Sequence, residues 1–435
     1  MYCGYITTIT KLREHSNADR LLCAEVFGNN VIVSKDYYEG QKVVFFPTDG
    51  KLGKEYAEEN NLVRKKDKNG NNIGGYLDPE KRNITAVKLR GEKSEGLLMP
   101  IETLAKYTDI EQLKPGDQIT TLNGVVICEK YIPRTNRRVT SGNGGNNSKR
   151  INLKNQYPLF KEHIDTSQLA YNMNVFRPGD TIYLTLKMHG TSGRTQNSLI
   201  DIPKPQSLIQ RLFRREPEIV KTWVPITGTR RVILNNFEDE SGYYGTNAFR
   251  KPYHDFFKEK LPKGFEVFYE IVGYINGTEI PIMSKCNNKL VRDKEFTKKY
   301  GPETVFSYGC MPGQSNCYVY RMTHTNEDGF ITEIPWEVVK ILCDKWGVKH
   351  VPELDKFLFT TQEDLMERVN KWLDIEDPIG KTHVAEGVVV RIDNRETFTA
   401  YKHKGFSFKV LEGIIKDTAD APDMEEAQEL FDEAS

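Results

Sequence analysis

The N-terminal third of the chain alternates apolar and polar positions over short segments. This alternation predicts strands at residues 5–10, 22–27, 31–34 and 42–46, with further strand-like segments at 84–90 and 96–99. Turn-forming residues such as Gly28-Asn29-Asn30 separate the first four segments. Frequent short strands joined by tight turns are typical of a small β-barrel. A polar loop at 64–72, which contains four cations, interrupts the pattern.

Residues 135–150 show the apolar periodicity of neither a helix nor a strand. The segment consists mainly of Thr, Asn, Gly, Ser and basic residues, which offer too little apolar surface to offset the entropy of ordering. It is therefore predicted to be a flexible linker. Its cations are Arg134, Arg137, Arg138, Lys149 and Arg150. They either keep a connecting segment soluble or form an arm that contacts phosphate, and both interpretations stay open.

Beyond residue 150 the pattern changes to longer strands mixed with helices. Strands are predicted at 181–188, 265–274, 387–392 and 397–403, and helices at 336–346 and 362–373. An α+β fold is expected, with antiparallel sheets flanked by helices. The predicted organisation is a first domain at 1–134, the linker, a second domain at 151–415 and an acidic tail at 416–435.

The bulk composition narrows the class of protein. The chain has 435 residues, of which 38% are hydrophobic, enough for two or three domains. Its 61 basic and 61 acidic residues cancel, but a groove can be locally positive on a neutral protein.

Seven scattered cysteines without a CxxC pair indicate reduced thiols. With no signal-peptide pattern and no apolar run near the ~20 residues of a membrane span, a soluble cytoplasmic protein is expected.

One predicted strand ends in a lysine that small residues follow. The apolar residues of 181–186 share one face, so Lys187 falls on the opposite face at the strand end. Gly190 leaves room for a ligand to approach the backbone. The amine of Lys187 can act as a nucleophile only when neutral, and we expect neighbouring cations to lower its pKa from the ordinary ~10.4. A surface lysine beside a turn glycine would give the same pattern.

Two carboxylates fall on apolar faces of predicted strands. Glu270 shares a face with Phe268 and Val272, and Glu386 shares one with Val388 and Val390. A carboxylate in such a place needs a partner, for example a ligand hydroxyl, a metal-bound water or an arginine. For Glu270, a structural salt bridge is an equally good interpretation.

Two lysines stand close to Glu386 if the last two strands form a hairpin. Lys402 and Lys404 are two residues apart and therefore project from the same face. Like charges side by side are unfavourable unless an anion lies between them, and a triphosphate would supply that anion. An exposed basic strand end would explain the lysines but not the buried character of Glu386.

The ordered set of these motifs resembles the covalent nucleotidyltransferases, the superfamily of DNA ligases, RNA ligases and mRNA capping enzymes. The set comprises Lys187-x-x-Gly190, Glu270 within Tyr-Glu-Ile-x-Gly, Glu386-Gly387-Val388-Val389, and Lys402-x-Lys404. Arg230 lies in a segment that resembles the basic motif after the nucleophile. Either Tyr318 or Tyr320 lies where the family supplies an aromatic residue near the adenine.

The order of domains is similar to that of one family of RNA ligases. Only 31 residues follow Lys404, too few for the C-terminal OB barrel of DNA ligases and capping enzymes. The predicted barrel is N-terminal, and its segments at 15–21 and 88–98 resemble tRNA-binding OB modules. His189 replaces the aspartate of DNA ligases, as it does in some RNA ligases. The resemblance thus implies an N-terminal OB-like nucleic-acid-binding domain and a ligase-type nucleotidyltransferase domain.

The resemblance implies an ATP-dependent enzyme that joins RNA 3′-OH and 5′-phosphate ends. Lys187 would accept AMP from ATP and pass it to an RNA 5′-phosphate, and a 3′-OH would then expel the AMP. Lys402 and Lys404 would stabilise charge on the α-phosphate, as would Mg²⁺ or Mn²⁺ held by Glu386. The resemblance further implies that Glu270 binds the ribose and Arg230 holds phosphate.

The expected partner is RNA, as a nicked duplex or a tRNA, and the protein is expected to be a monomer. The segment 203–220, with Arg211, Arg214 and Arg215 on a predicted short helix, is either an RNA contact or a solvated insertion. Two other functions stay open. One is a non-catalytic RNA-binding protein with an OB domain and a degenerate core; the other is a GTP-dependent capping-type guanylyltransferase.

Overall fold

A computed structural model describes residues 2–132, 153–163, 166–204, 217–234, 236–237 and 246–418. The predicted linker at 135–150, the arginines of the 203–220 segment and the chain beyond 418 lie outside these residues. The described residues form two units. The first comprises residues up to 132 together with Leu290–Arg292 and 405–418, and the second comprises 153–289 and 293–404.

The described helices are short, and most of them belong to the second unit. The α-helices are Lys54–Glu59, Leu153–Gln156, Lys251–Lys260, Lys294–Tyr300, Trp336–Trp346, Gln362–Asn370 and Phe406–Thr418. Single 3₁₀ turns occur at Ile101–Leu104, Ile110–Gln112, Leu169–Tyr171, Met173–Val175, Ala248–Arg250 and Asn288–Val291. Within the described residues, no helix is long and apolar enough to cross a membrane.

The first unit is built from short antiparallel strands. They are β1 (Gly4–Thr8), β2 (Lys11–Glu14), β3 (Leu21–Val26), β4 (Asn29–Ser34), β5 (Lys42–Phe46), β6 (Gly50–Leu52), β7 (Lys65–Lys66), β8 (Asn72–Gly74), β9 (Ala86–Leu89), β10 (Glu92–Glu95), β11 (Leu97–Pro100), β12 (Gln118–Ile119), β13 (Thr121–Leu122), β14 (Val125–Val126) and β15 (Cys128–Lys130).

Strand β5 is the centre of the first unit. It lies between β1 and β11 in a sheet of order β11-β5-β1-β12, and its residues from Val43 to Phe46 are all buried, so both of its faces are covered. Strands β2, β3 and β4 form a second sheet, and the remaining strands pair in twos. The ladders of the described residues make separate sheets, so the closed barrel expected from the sequence stays a prediction.

The C-terminal helix Phe406–Thr418 belongs to the first unit. Lys409 contacts Glu95 at 3.0 Å, and Lys416, which is 4% exposed, contacts Asp49 at 3.2 Å. The apolar side chain of Leu411 is fully buried. The sequence-based boundary placed this segment partly in the second domain and partly in the acidic tail. The structure differs because the apolar face of the helix is buried in the first unit and its lysines pair with carboxylates of that unit.

The second unit contains two larger sheets. Its strands are β16 (Ser167–Gln168), β17 (Thr181–Lys187), β18 (Thr191–Pro203), β19 (Ile219–Gly228), β20 (Ile233–Leu234), β21 (Phe265–Gly273), β22 (Cys286–Asn287), β23 (Glu303–Thr304), β24 (Ser315–Thr325), β25 (Ile331–Glu333), β26 (Lys349–His350), β27 (Glu353–Leu358), β28 (Gly387–Ile392) and β29 (Thr399–Lys404). One sheet has the order β16-β29-β28-β17-β27. The other has the order β20-β19-β18-β21-β24-β25, and β26 also pairs with β24.

The five-stranded sheet buries the apolar face that alternation predicted for β17. Ile182 and Leu184 lie in one core with Val388 and Val390 of the adjacent β28. The helix Gln362–Asn370 covers this core with Leu365 and Val369. The predicted mixture of helices and mostly antiparallel sheets is confirmed.

The chain passes from one sheet to the other immediately after Lys187. Strand β17 ends at Lys187 in the five-stranded sheet, and β18 begins at Thr191 in the other sheet. Only Met188, His189 and Gly190 connect them. Because so short a connection cannot move far from either strand end, Lys187 is held where the two sheets of this unit meet.

The core assignment predicts different costs for two leucines on neighbouring strands. Leu184→Ala removes a fully buried side chain from the core and should lower the free energy of unfolding by about 2–5 kcal/mol. Leu358→Ala, at a position 61% exposed, should change it by less than about 0.5 kcal/mol. Denaturant unfolding of both variants measures the difference, and equal losses would contradict the core assignment.

Candidate active site

Three adjacent strands bring a lysine, a carboxylate and a second lysine together. Lys187 of β17 pairs with Gly387 of β28, and Gly387 pairs with Lys404 of β29. Glu386 directly precedes Gly387. The Nζ atom of Lys187 lies 2.8 Å from Oε1 of Glu386, and the Nζ atom of Lys404 lies 3.7 Å from the same oxygen. The hairpin predicted from the sequence therefore exists and gathers these residues.

Glu386 is the most buried member of this cluster. Its side chain is 2% exposed, against 22% for Lys187 and 13% for Lys404. A carboxylate removed from water is costly unless opposite charge compensates it. The two ammonium groups provide that compensation, so the three side chains form one interdependent charge cluster.

The pKa of Lys187 is raised in this structure. Burial by itself lowers the pKa, as does the charge of Lys404, but the charge and hydrogen bond of Glu386 and the charge of Glu270 outweigh them. The neighbouring cation Lys404 lowers this pKa as expected, but the net shift is upward because the carboxylates, which the expectation left out, outweigh it. Sequence reasoning noted the lysines but could not rank them against a carboxylate at 2.8 Å.

The second oxygen of Glu386, Oε2, has a different environment. It is buried and has no hydrogen-bond partner among the described residues. Nδ1 of His189 lies 3.9 Å away, beyond hydrogen-bond distance. A buried acceptor without a partner is costly, and a carboxylate oxygen is a favoured ligand of Mg²⁺ and Mn²⁺.

This oxygen fits a divalent ion that has few protein ligands. The described residues contain no group of three or more His, Cys, Asp and Glu arranged to hold a metal. Mg²⁺ commonly takes one or two carboxylates and completes its shell with water and substrate phosphates. Glu386 fits that role, because one of its oxygens contacts Lys187 while the other, Oε2, is available to a metal ion beside Lys187.

A tyrosine holds the connection between the two sheets. The backbone N–H of His189 donates to the hydroxyl of Tyr308 at 2.6 Å, and the His189 ring packs edge-on against Phe306. Burial, followed by the charge of Glu386, raises the pKa of Tyr308 well above its ordinary value, so the hydroxyl stays neutral. Tyr308 follows no strand or motif pattern, and sequence reasoning missed it.

An arginine holds the first residues of β18. Arg250 is 3% exposed and donates to the backbone carbonyl of Ser192 at 2.6 Å and to the hydroxyl of Thr191 at 2.7 Å. It stands 58 residues from Ser192 in the chain. No local signal marks it, and sequence reasoning missed this residue too. Together, Tyr308 and Arg250 restrain both ends of the turn at Gly190.

Gly190 must be glycine because the backbone of β21 approaches it closely. A Cβ atom at this position would lie 2.4 Å from the carbonyl oxygen of Ile271 and 2.9 Å from Cγ of Glu270. The missing side chain therefore lets Glu270 stand beside the turn that follows Lys187. Gly190 and Glu270, which the sequence analysis named as site residues, are therefore neighbours in the structure.

The strand register distinguishes the two candidate tyrosines. On the larger sheet, Ser192 pairs with Glu270, and Glu270 pairs with Tyr318. Directly opposite residues project from the same face, so Tyr318 accompanies Glu270. The ring of Tyr320 instead lies 5.8 Å from that of His163. Tyr318 is thus the tyrosine that the register places beside Glu270.

Arg230 and Lys402 lie further from the charge cluster along their strands. Lys402 pairs with Val389, two residue pairs along the ladder from the pair of Gly387 and Lys404. Arg230 follows β19, whose last residue Gly228 pairs with Arg194 near the start of β18. Its backbone carbonyl accepts a hydrogen bond from the N–H of His163 at 3.1 Å. The backbone of Arg230 therefore lies at the end of the larger sheet at which β18 begins.

The chain has the fold of solved RNA ligase structures. It is similar over 96% of its length, and 99% of the other chain, to a Naegleria gruberi RNA ligase solved with PPi, with a TM-score of 0.57 at 15% sequence identity. A lysine-to-alanine variant of that ligase with ATP and Mn has a TM-score of 0.58 at 14% identity and the same coverage. No protein-family model and no curated protein matches the sequence.

The cluster predicts opposite shifts in the pKa of Lys187 for two substitutions. Glu386→Gln removes the main group that raises the pKa and should lower it, whereas Lys404→Met removes a like charge and should raise it. Glu270→Gln should lower it less, because Glu270 contributes least. The pH dependence of Lys187 acylation, followed by mass spectrometry in chelator-treated buffer, measures each value. Shifts of the same sign for Glu386→Gln and Lys404→Met would contradict the assigned electrostatics.

Proposed function

We propose that this protein is an ATP-dependent RNA ligase that joins 3′-OH and 5′-phosphate ends through lysyl-AMP and adenylated-RNA intermediates. The observation that carries the proposal is the contact of Lys187 with buried Glu386, with Lys404 beside it, in a fold of the RNA-ligase type. The similar ligase structures contain ATP or AMP with Mn, which supports the same nucleotide and a divalent ion here.

Lys187 is the proposed nucleophile in the first of three transfers. Its neutral amine forms a bond to the α-phosphorus of ATP, and the bond to the departing pyrophosphate breaks. AMP then passes from Lys187 to an RNA 5′-phosphate, and a 3′-OH attacks that phosphate and releases AMP. Because Glu386 raises the pKa of Lys187, the ion pair must open and the ammonium must lose its proton before attack.

The cations of the cluster stabilise the charge that develops on phosphate. Lys404 stands next to Lys187, and Lys402 projects from the same face of β29, so both can face the α-phosphate. Glu386 would hold Mg²⁺ or Mn²⁺ through Oε2. The bound ion would neutralise phosphate charge as a Lewis acid. Arg230 is the further candidate for holding phosphate.

Nucleotide recognition is proposed for the inner strands β21 and β24 of the larger sheet and the turn at Gly190. Glu270 would accept a hydrogen bond from a ribose hydroxyl, and Gly190 would let the nucleotide approach the backbone. Of the two tyrosines named from the sequence, Tyr318 is favoured over Tyr320 for the adenine because it lies opposite Glu270. These roles are supported by position and by residue chemistry.

The first unit is the proposed RNA-binding domain. We propose an OB-like function for it because its short strands and its position before the nucleotidyltransferase unit suit single-strand recognition. The proposed substrate is RNA, either a nicked duplex or a broken tRNA, and the proposed enzyme is monomeric.

Covalent labelling tests the function directly. After incubation with α-labelled ATP and Mg²⁺ and denaturing electrophoresis, wild-type protein should retain label and Lys187→Ala should retain none. Lys371→Ala, at a side chain 63% exposed, is the matched control and should label normally. Absence of label on wild-type protein would refute the enzyme proposal, and label from GTP but not ATP would support the capping function instead.

Glu386→Gln separates the metal role from the pKa effect. The substitution should lower the pKa of Lys187 and so increase the fraction of neutral, nucleophilic amine. It also removes the proposed metal ligand, which should slow adenylation. We expect adenylation at saturating ATP to fall at least about tenfold, with partial recovery at higher Mn²⁺. Glu353→Gln, which alters a carboxylate paired with Lys340, is the control. Normal labelling by Glu386→Gln would exclude a metal role for this residue.

A further inference from the structure

A basic hairpin projects from the first unit. It consists of β7, β8 and the residues around them, from 64 to 76, and we refer to it as the basic hairpin. Its first five residues contain four cations, Arg64, Lys65, Lys66 and Lys68, and all four are exposed. Neither the charge cluster nor the nucleotide site uses them.

The turn of the basic hairpin is ordered by its own acidic residue. Oδ1 of Asp67 accepts the backbone N–H groups of Asn69 at 2.9 Å and Asn71 at 2.8 Å, and Oδ2 accepts the side-chain amide of Asn71. These hydrogen bonds also lower the pKa of Asp67. The carboxylate therefore shapes the turn, as in an Asx turn, while the cations point outward.

The base of the basic hairpin is held by a close backbone approach. Gly75 has a φ of +66°, and a Cβ atom there would lie 2.1 Å from the carbonyl oxygen of Val63. The next residue, Tyr76, donates its backbone N–H to Leu62 at 2.9 Å. Glycine at position 75 thus lets the second arm pack directly on the first, and the cations stand on a defined surface.

The lysines of the basic hairpin have no acidic partner within the described chain. Lys65 donates to the side-chain oxygen of Asn61 at 3.0 Å, and no ion pair within the described residues involves Lys65, Lys66 or Lys68. By contrast, Lys106 of the same unit contacts both Glu55 and Glu59. Uncompensated cations in one short segment favour an anionic ligand.

The basic hairpin also exposes apolar and aromatic surface. Tyr76 is 54% exposed and Ile73 is 66% exposed. Arg64 donates from its guanidinium to the backbone carbonyl of Tyr76 at 3.1 Å, so the ring and the cations belong to one surface. A tyrosine with about half of its surface exposed, beside exposed cations, suits unstacked bases linked by phosphates, because a base can stack on the accessible part of the ring while lysines contact the backbone.

We infer that the basic hairpin is a binding site for single-stranded RNA, in which Tyr76 stacks on a base and Lys65, Lys66 and Lys68 contact phosphates. The inference rests on the proposed function, which makes RNA the substrate, and it names a surface of the first unit that would hold a single strand of that substrate. Nucleotide transfer to Lys187 without RNA does not require it.

The salt dependence of RNA binding tests the lysines. Binding of a fluorescent 5′-phosphorylated single-stranded RNA is measured by anisotropy over a range of salt concentrations. Replacing all three lysines with Ser should reduce the slope of log affinity against log salt by about 2, or ~0.7 per phosphate contact. Replacing Lys51, Lys106 and Lys371, which have acidic partners, removes the same charge and should change the slope far less.

Two further variants separate charge, stacking and folding. Replacing the three hairpin lysines with Arg keeps the charge and should restore the slope. Tyr76→Ala should weaken single-strand binding at least about fivefold without changing the slope, and Tyr76→Phe should keep the affinity. Thermal unfolding of each variant verifies that the fold is intact. The inference would be overturned if the Ser variant had the same salt slope as the control variant, in which Lys51, Lys106 and Lys371 are replaced. The basic hairpin would then be a candidate site for an acidic protein surface.

Labelling with ATP in the absence of RNA distinguishes two outcomes: that the basic hairpin is not an RNA site, and that the protein is not a ligase. The Ser variant should take up label as wild-type protein does. Normal label combined with an unchanged salt slope refutes only the hairpin as an RNA site. Wild-type protein that takes up no label refutes the ligase, whereas the salt slope reports on the hairpin in either case.

Discussion

The contact between Lys187 and Glu386 is the constraint on which the second unit depends. A carboxylate only 2% exposed is tolerated because two ammonium groups stand next to it. Three neighbouring strands are needed to place them, since the lysines come from β17 and β29 and the carboxylate precedes β28. The same contact raises the pKa of the proposed nucleophile, so the site as observed holds it as an ammonium.

The rest of the unit keeps this contact in position from both sides. The apolar core under β17 and β28 aligns the strands, and the hydroxyl of Tyr308 and the guanidinium of Arg250 restrain the turn that leads away from Lys187. Glu270 then stands beside Gly190 because that residue lacks a side chain. These contacts fix the charged groups relative to the turn at Gly190, and fixed positions of this kind are what the proposed transfer of AMP requires.

Much of the candidate site was accessible to sequence reasoning because strand alternation is local. It placed Lys187 at the end of a strand whose apolar face is buried, and it placed Glu386 and Lys404 on a hairpin that exists. The predicted helix at 336–346 has the observed bounds. Tyr308 and Arg250 were not found, because each acts through one hydrogen-bond geometry created by chain segments far apart in sequence.

The sequence by itself determined where strands and helices with clear periodicity lie and which charged residues interrupt their apolar faces. The tertiary structure alone decided which of those charges meet, and with what effect on a pKa. It also decided that β18 is buried although it is rich in polar residues, because Arg194 pairs with Glu266 and Thr195 with Thr227 inside the protein. Periodicity reflects the local alternation of side chains, whereas burial of polar groups depends on partners that only folding brings within hydrogen-bond distance.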